Sequence, residues 1–320
     1  MKLFETYQPK LLSAAKIILV AGTLGFIVYK LFFAYDIQNI VASSSFTWTT
    51  TNIILLASVF ILVIPNIALE GRKWMLTMRQ YEPVRFIQAI KSVTAGIALG
   101  IITPNRVGDF AGKALFLQSY DKIKGAVVSF IGSIAQTLSI IFCGSFGLWT
   151  LAFQQGYISS TLFYAGLFAL PVLLALLFYV YINIHWLHYI IRWKKAKPFI
   201  DAFTHYTGRE LSSLFLLSML RFGIFNFQYF LLLHFFGVPI AAADAFPALF
   251  AIFVVQAFVP SFILIEMGVR GATALFFLGL FSTNSSGILL AAYTLWIINI
   301  MLPGLMGLFF ILKLKWRSAA

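Results

Sequence analysis

Among the charged side chains inside or directly beside the long apolar runs of this chain, six are where its chemistry would reside. Arg106, Asp109 and Lys113 follow the apolar run 93–102 at spacings of three and four residues. On a helix that spacing puts them on one face. Glu266 and Arg270 interrupt a second apolar stretch four residues apart, with the acid N-terminal, the favourable order for a helical ion pair. Arg221 stands within a third. An ion at membrane depth costs roughly 2.5–3.5 kcal/mol on insertion scales, so a partner or a ligand must offset it. Four cations against two carboxylates leave two positive charges over. An acidic group from outside would balance them, and phosphate suits the arginine fork, which binds it through paired hydrogen bonds. Free N–H groups at helix starts in the same segments would attract the same anion. The plainer reading is a set of ion pairs that fix local structure, with Arg106 and Lys113 reaching back to the membrane surface.

The surrounding chain makes membrane depth credible. Of 320 residues, 61% are hydrophobic and 10% are charged, with a mean hydropathy of +0.93, which excludes an ordinary soluble domain. The net charge of +13 comes mostly from loops flanking apolar runs, where basic residues orient helices, so nucleic acid is not an expected partner. Cys143 is the one cysteine, so neither an internal disulfide nor a cysteine-based metal cluster is possible. The apolar stretch after MKLFETYQPKLLSAAK is about one span long and has no small-residue cleavage pattern, so it is expected to be retained as a helix.

Residues 14–33, 50–69, 125–150, 161–184, 211–236 and 287–312 are each long enough to cross a bilayer. The connectors carrying Arg72, Lys73, Arg79, Arg85 and Lys91, then Arg192, Lys194, Lys195, Lys197 and Arg209, and the end with Lys313, Lys315 and Arg317, read as cytoplasmic. Residues 70–91 would include an amphipathic surface helix or serve as a plain basic loop. Segments 86–117 and 246–281 are too short for two spans and too polar in their second halves for one. Each is expected to be a re-entrant hairpin of two half-helices, broken at Pro104 with Gly108 and at Pro260 with Gly268. Gly96, Gly100, Gly108 and Gly112 would allow its halves to pack closely.

The expected fold is therefore an all-α polytopic membrane protein with about six full transmembrane helices and two re-entrant broken-helix hairpins. Residues 1–155 and 156–320 each read span, span, hairpin, span, but start on opposite sides. That is an inverted-topology repeat within a single transmembrane domain, with the substrate site where the two halves meet. Both termini would be cytoplasmic. His185, His188, His205 and His234 show no metal-ligand pattern, and no metal or cofactor is expected. Trp48, Trp74, Trp186, Trp193 and Trp316 read as an interfacial aromatic belt. Gln136, Asn226, Gln228 and Gln256 would line a pathway or bond between helices.

In two blocks the chain resembles the transmembrane, flippase-like region of the lysylphosphatidylglycerol synthase family, which includes many stand-alone bacterial membrane proteins. Pro104, Arg106, Gly108 and Asp109 match the first block, with Asp where Glu is usual. Pro260, Gly268, Val269 and Arg270 match the second, proline followed by G-x-R-E, but Gly271 stands where the family has Glu. Glu266, a turn before Arg270, is the substitute carboxylate. The resemblance implies a bacterial inner-membrane protein that moves an anionic or aminoacylated phospholipid between leaflets, without the synthase domain. Its expected ligand is the anionic head group of a membrane phospholipid, bound by Arg106 and Arg270 from opposite hairpins, with Asp109 and Glu266 pairing with them when the site is empty. Arg221 and Lys113 complete the expected set. The sequence names no protein partner. Two other readings stay open: an intramembrane lipid-modifying enzyme such as a polyprenyl-phosphate glycosyltransferase, disfavoured by the lack of an acidic or His-rich cluster, and an accessory subunit of an envelope complex.

Overall fold

The structure, a computed structural model, describes residues 49–118, 122–183, 205–259 and 266–314. The expected span at 14–33 lies outside these residues, as do Asp36, Trp48, Trp186, Trp193, Trp316, His185, His188 and Pro260.

Among the described residues every regular element is helical. Helix α1 (Thr50–Met78) starts where the Thr49 side chain accepts the Asn52 N–H, a conventional N-cap. Helix α2 (Phe86–Ile102) ends because Pro104 forces Thr103 into extended backbone, with φ −108° and ψ 142°. A 3₁₀ turn (Pro104–Arg106) then leads into the short α3 (Gly108–Ala114). Helices α4 (Lys122–Gln154) and α5 (Ser160–Ile182) follow. Helix α6 (Gly208–Phe235) opens with a reciprocal cap between Thr207 and Glu210. Then come α7 (Ala242–Phe258), α8 (Glu266–Leu278) and α9 (Ser285–Trp296), and a π turn (Ile297–Met301) carries α9 into α10 (Leu302–Lys313).

Helices α1, α4, α5, α6 and the continuous α9–α10 are long and apolar enough to cross a membrane, and they match five of the six expected spans. Helices α2 and α7 have 17 residues each. At 1.5 Å per residue each is about 25 Å long, short of a ~30 Å hydrocarbon core. The chain is an all-α polytopic membrane protein.

Lipid is as apolar as leucine, so helices in it associate through close backbone approach at small residues. Helix α10 lies along α2 at Gly304 and Gly307, and a Cβ at 307 would overlap the Thr94 carbonyl. Helix α4 lies along α7 at Gly144 and Gly147, where a Cβ at 147 would come within 2.6 Å of the Pro247 carbonyl. Helix α1 packs along α6. Helix α5 is peripheral: Phe168, Val172 and Leu173 are exposed, as lipid-facing residues should be.

Three expectations are corrected. Helix α1 does not end at residue 69 but runs on to Met78, so Glu70 and Lys73 belong to a membrane-spanning helix and not to a surface helix or loop. Asn66, Glu70, Lys73 and Thr77 recur at the helical period and face inward. Trp74 is buried at 3% exposure and forms no part of an aromatic belt. Gly268 does not break the chain; it lies in the first turn of α8 with open space beside it.

Candidate functional site

The first paired segment turns within three residues. Asn105 (φ 49°) and Arg106 (φ 58°) both take the left-handed conformation, which asparagine tolerates and which costs an arginine roughly 1–2 kcal/mol. The turn folds α3 back onto α2. Contact is close because Gly112 has no side chain: a Cβ there would come within 2.6 Å of the Gly96 Cα. Arg106 thus precedes α3 and is out of phase with it. It does not pair with Asp109 as its spacing suggested, because no helix runs through both residues. Asp109 pairs instead with Lys113, one turn on, at 2.7 Å.

Lys113 also reaches across to α1, where Glu70 is the hub of a buried ion-pair cluster. Lys113 Nζ lies 2.9 Å from Glu70 Oε1, Lys73 Nζ 3.1 Å from Oε2, and Arg221 Nη1 3.4 Å from Oε2. Lys113 is 6% exposed and Lys73 2%, so both are enclosed by the protein and held by carboxylates. Gln136 of α4 accepts from both Lys73 (3.2 Å) and Arg221 (3.3 Å), and Arg221 Nε donates to Asn66 Oδ1 at 2.8 Å.

The second paired segment carries its own ion pair. Arg270 Nη2 lies 3.0 Å from Glu266 Oε1, as the i, i+4 spacing predicted. Arg270 Nη1 lies 3.5 Å from Gln256 Oε1, and Gln256 donates to Thr273 Oγ1 at 2.8 Å.

A cavity of about 320 Å³ brings these groups together. Its lining includes the polar residues Arg106, Gln136, Arg221, Gln256, Glu266 and Arg270 and the apolar residues Phe222, Phe225, Phe253 and Ile300. Among the described residues the Arg106 guanidinium takes no ion pair or hydrogen bond. Arg221 and Gln136 lie about halfway along the spans α6 and α4. Counting the Glu70 cluster, among the described residues five cations (Lys73, Arg106, Lys113, Arg221, Arg270) face three carboxylates (Glu70, Asp109, Glu266), an excess of two positive charges. A small acidic ligand is the chemistry such a site accommodates.

The structure places Arg106, Arg221, Glu266 and Arg270 on the cavity, and Asp109 and Lys113 in the cluster behind Arg221. Glu70, Lys73 and Asn66 were missed as site residues. Their signal was the inward stripe along α1, hidden because charged residues also end a hydropathy run at a membrane surface. Among the described residues no three His, Cys, Asp or Glu gather as metal ligands.

The family model described as the lysylphosphatidylglycerol synthase TM region matches residues 13–307. The chain belongs to this family. Membership ties the protein to membrane lipids. No curated protein and no solved structure matches the chain. In this member of the lysylphosphatidylglycerol synthase transmembrane-region family, Gly271 stands against the Tyr293 side chain. A Cβ on Gly271 would come within 2.6 Å of the Tyr293 hydroxyl, so a larger residue there would have to displace that side chain. Glu266 supplies the carboxylate to Arg270 from the preceding turn.

Proposed function

We propose that the protein is an integral membrane transporter, not an enzyme, that moves a phosphate-bearing phospholipid, anionic or aminoacylated, between leaflets. The observation that carries this reading is the shared cavity, where Arg106, Arg221 and Arg270 converge with two positive charges in excess. Its position halfway along α4 and α6 suits a midplane site. Its volume sits at the low end of small-molecule sites, about 300–1,000 Å³. It would take a head group and leave two acyl chains outside, along the lipid-facing helices.

The packing supports an inverted repeat over residues 1–155 and 156–320. The last span of each half lies on the first helix of the other half's broken segment: α4 on α7, and α10 on α2. Each contact uses two glycines three residues apart, Gly144 with Gly147 and Gly304 with Gly307. Helices α2–α3 and α7–α8 would be re-entrant hairpins from opposite faces, with the termini of the chain in the cytoplasm of a bacterium and the body in its inner membrane. In transport, a phosphate would draw Arg270 from Glu266 and engage Arg106, so that occupancy changes which contacts hold the hairpins and shifts the population between open states.

The test is flipping of fluorescent phosphatidylglycerol in vesicles containing the purified protein. Arg106→Ala and Arg270→Ala should each reduce the protein-dependent rate at least tenfold. Unchanged rates in both would refute the site.

A further inference from the structure

We infer that Asn299, in the π turn of the last helix, is a positioning residue for Arg221. It acts through Asn66 and rests on the reading of the cavity as an anion site. The two asparagines bond directly, Asn66 Nδ2 donating to Asn299 Oδ1 at 2.6 Å, though 233 residues separate them. Both are buried, at 3% and 5% exposure. Arginine has no acceptor, so Asn66 must turn its oxygen to Arg221 Nε and its nitrogen to Asn299. Asn299 then presents its oxygen to Asn66, and its own nitrogen donates to the Leu295 carbonyl at 3.3 Å. Neither amide can flip without breaking the chain.

The consequence falls on Arg221. With Nε held by Asn66 and Nη1 shared by Glu70 and Gln136, the plane of the guanidinium is set. Nη2 takes no partner among the described residues and is the donor left for a ligand in the cavity that Arg221 lines. Preorganised donors lose less on binding than mobile ones.

The π turn has a cause in the sequence. Pro303 has no N–H, and the carbonyl it would serve in an α-helix is that of Asn299, four residues back. The ladder rethreads instead, and the Leu302 N–H bonds five residues back to Ile297. Such turns are rare and occur mostly as single insertions in α-helices. Reversion to an α-turn would rotate Asn299 relative to α10 by about 100°, away from Asn66. Ile300 of the same turn lines the cavity, so the segment that holds Arg221 also meets whatever fills the site.

Calorimetric titration of the purified full chain in detergent tests this, with dihexanoyl phosphatidylglycerol and with inorganic phosphate as separate probes. Asn299→Leu should weaken binding of the lipid about tenfold, and Arg221→Ala at least as much. The double variant should bind no more weakly than Arg221→Ala alone, because the two changes remove one interaction; independent effects would add. Pro303→Ala, which keeps Asn299 but restores the α-ladder N–H, should weaken binding like Asn299→Leu. If Asn299→Leu does not fold, Asn66→Ala breaks the same chain from α1 and should give the same non-additive loss. Inorganic phosphate should show the same ranking at lower affinity; equal affinity for both probes would identify a free-phosphate site with the same positioning chain. Additivity between Asn299→Leu and Arg221→Ala, or unchanged affinity in Asn299→Leu or Pro303→Ala, would overturn the inference and leave the cavity reading standing. Unchanged affinity in Arg221→Ala would overturn both.

Discussion

Glu70→Gln keeps the shape of the side chain and removes the charge that three cations share. The cations are not equally harmed. Lys113 retains Asp109 at 2.7 Å, and Arg221 retains Asn66 and Gln136. Lys73, 2% exposed, keeps neutral acceptors, Gln136 and at most the one amide oxygen of the new glutamine, but no carboxylate among the described residues. Breaking a buried pair by removing one partner costs about 3–5 kcal/mol. Two of the three cations keep partners, so a loss of about 3 kcal/mol is expected. Replacing both members of a buried pair by neutral groups is often close to neutral. Glu70→Gln with Lys73→Met should therefore recover most of that loss. The assay is the denaturation midpoint in detergent, followed by helical circular dichroism, for the parent, both single variants and the double. A Glu70→Gln variant as stable as the parent, or a double variant less stable than Glu70→Gln alone, would refute the hub.

Two further predictions concern glycines. Gly307→Ala should cost about 1–3 kcal/mol by overpacking, because the new Cβ meets the Thr94 backbone, whereas Gly223→Ala, with open space beside it, should be neutral or stabilising; the same denaturation assay ranks them. Gly271→Glu, which restores the family's acid, should destabilise the chain because Tyr293 fills that space, and Tyr293→Ala should relieve the penalty. A Gly271→Glu variant with parental stability would show that the space is not closed.

Hydropathy made the spans legible because lipid demands about twenty apolar residues per crossing. The Pro104 break and the Glu266–Arg270 pair were legible because each depends on local chemistry only. The phase of Arg106 was not. Spacing arguments assume one continuous helix, and two left-handed residues reset the phase before Asp109. Glu70 and Lys73 were read as part of a surface helix or a basic loop because a basic cluster after an apolar run looks the same at a surface and in a paired interior. Their period with Asn66 and Thr77 was the clue. Asn299 carried no hydropathy signal, and its role depends on a partner 233 residues away and on a turn that Pro303 induces.

The most direct test of the cavity as the head-group site is a structure of the protein with short-chain phosphatidylglycerol. The phosphate should lie between Arg106, Arg221 and Arg270, with Glu266 displaced from Arg270. A phosphate bound elsewhere, with the Glu266–Arg270 pair intact and the cavity empty, would contradict it.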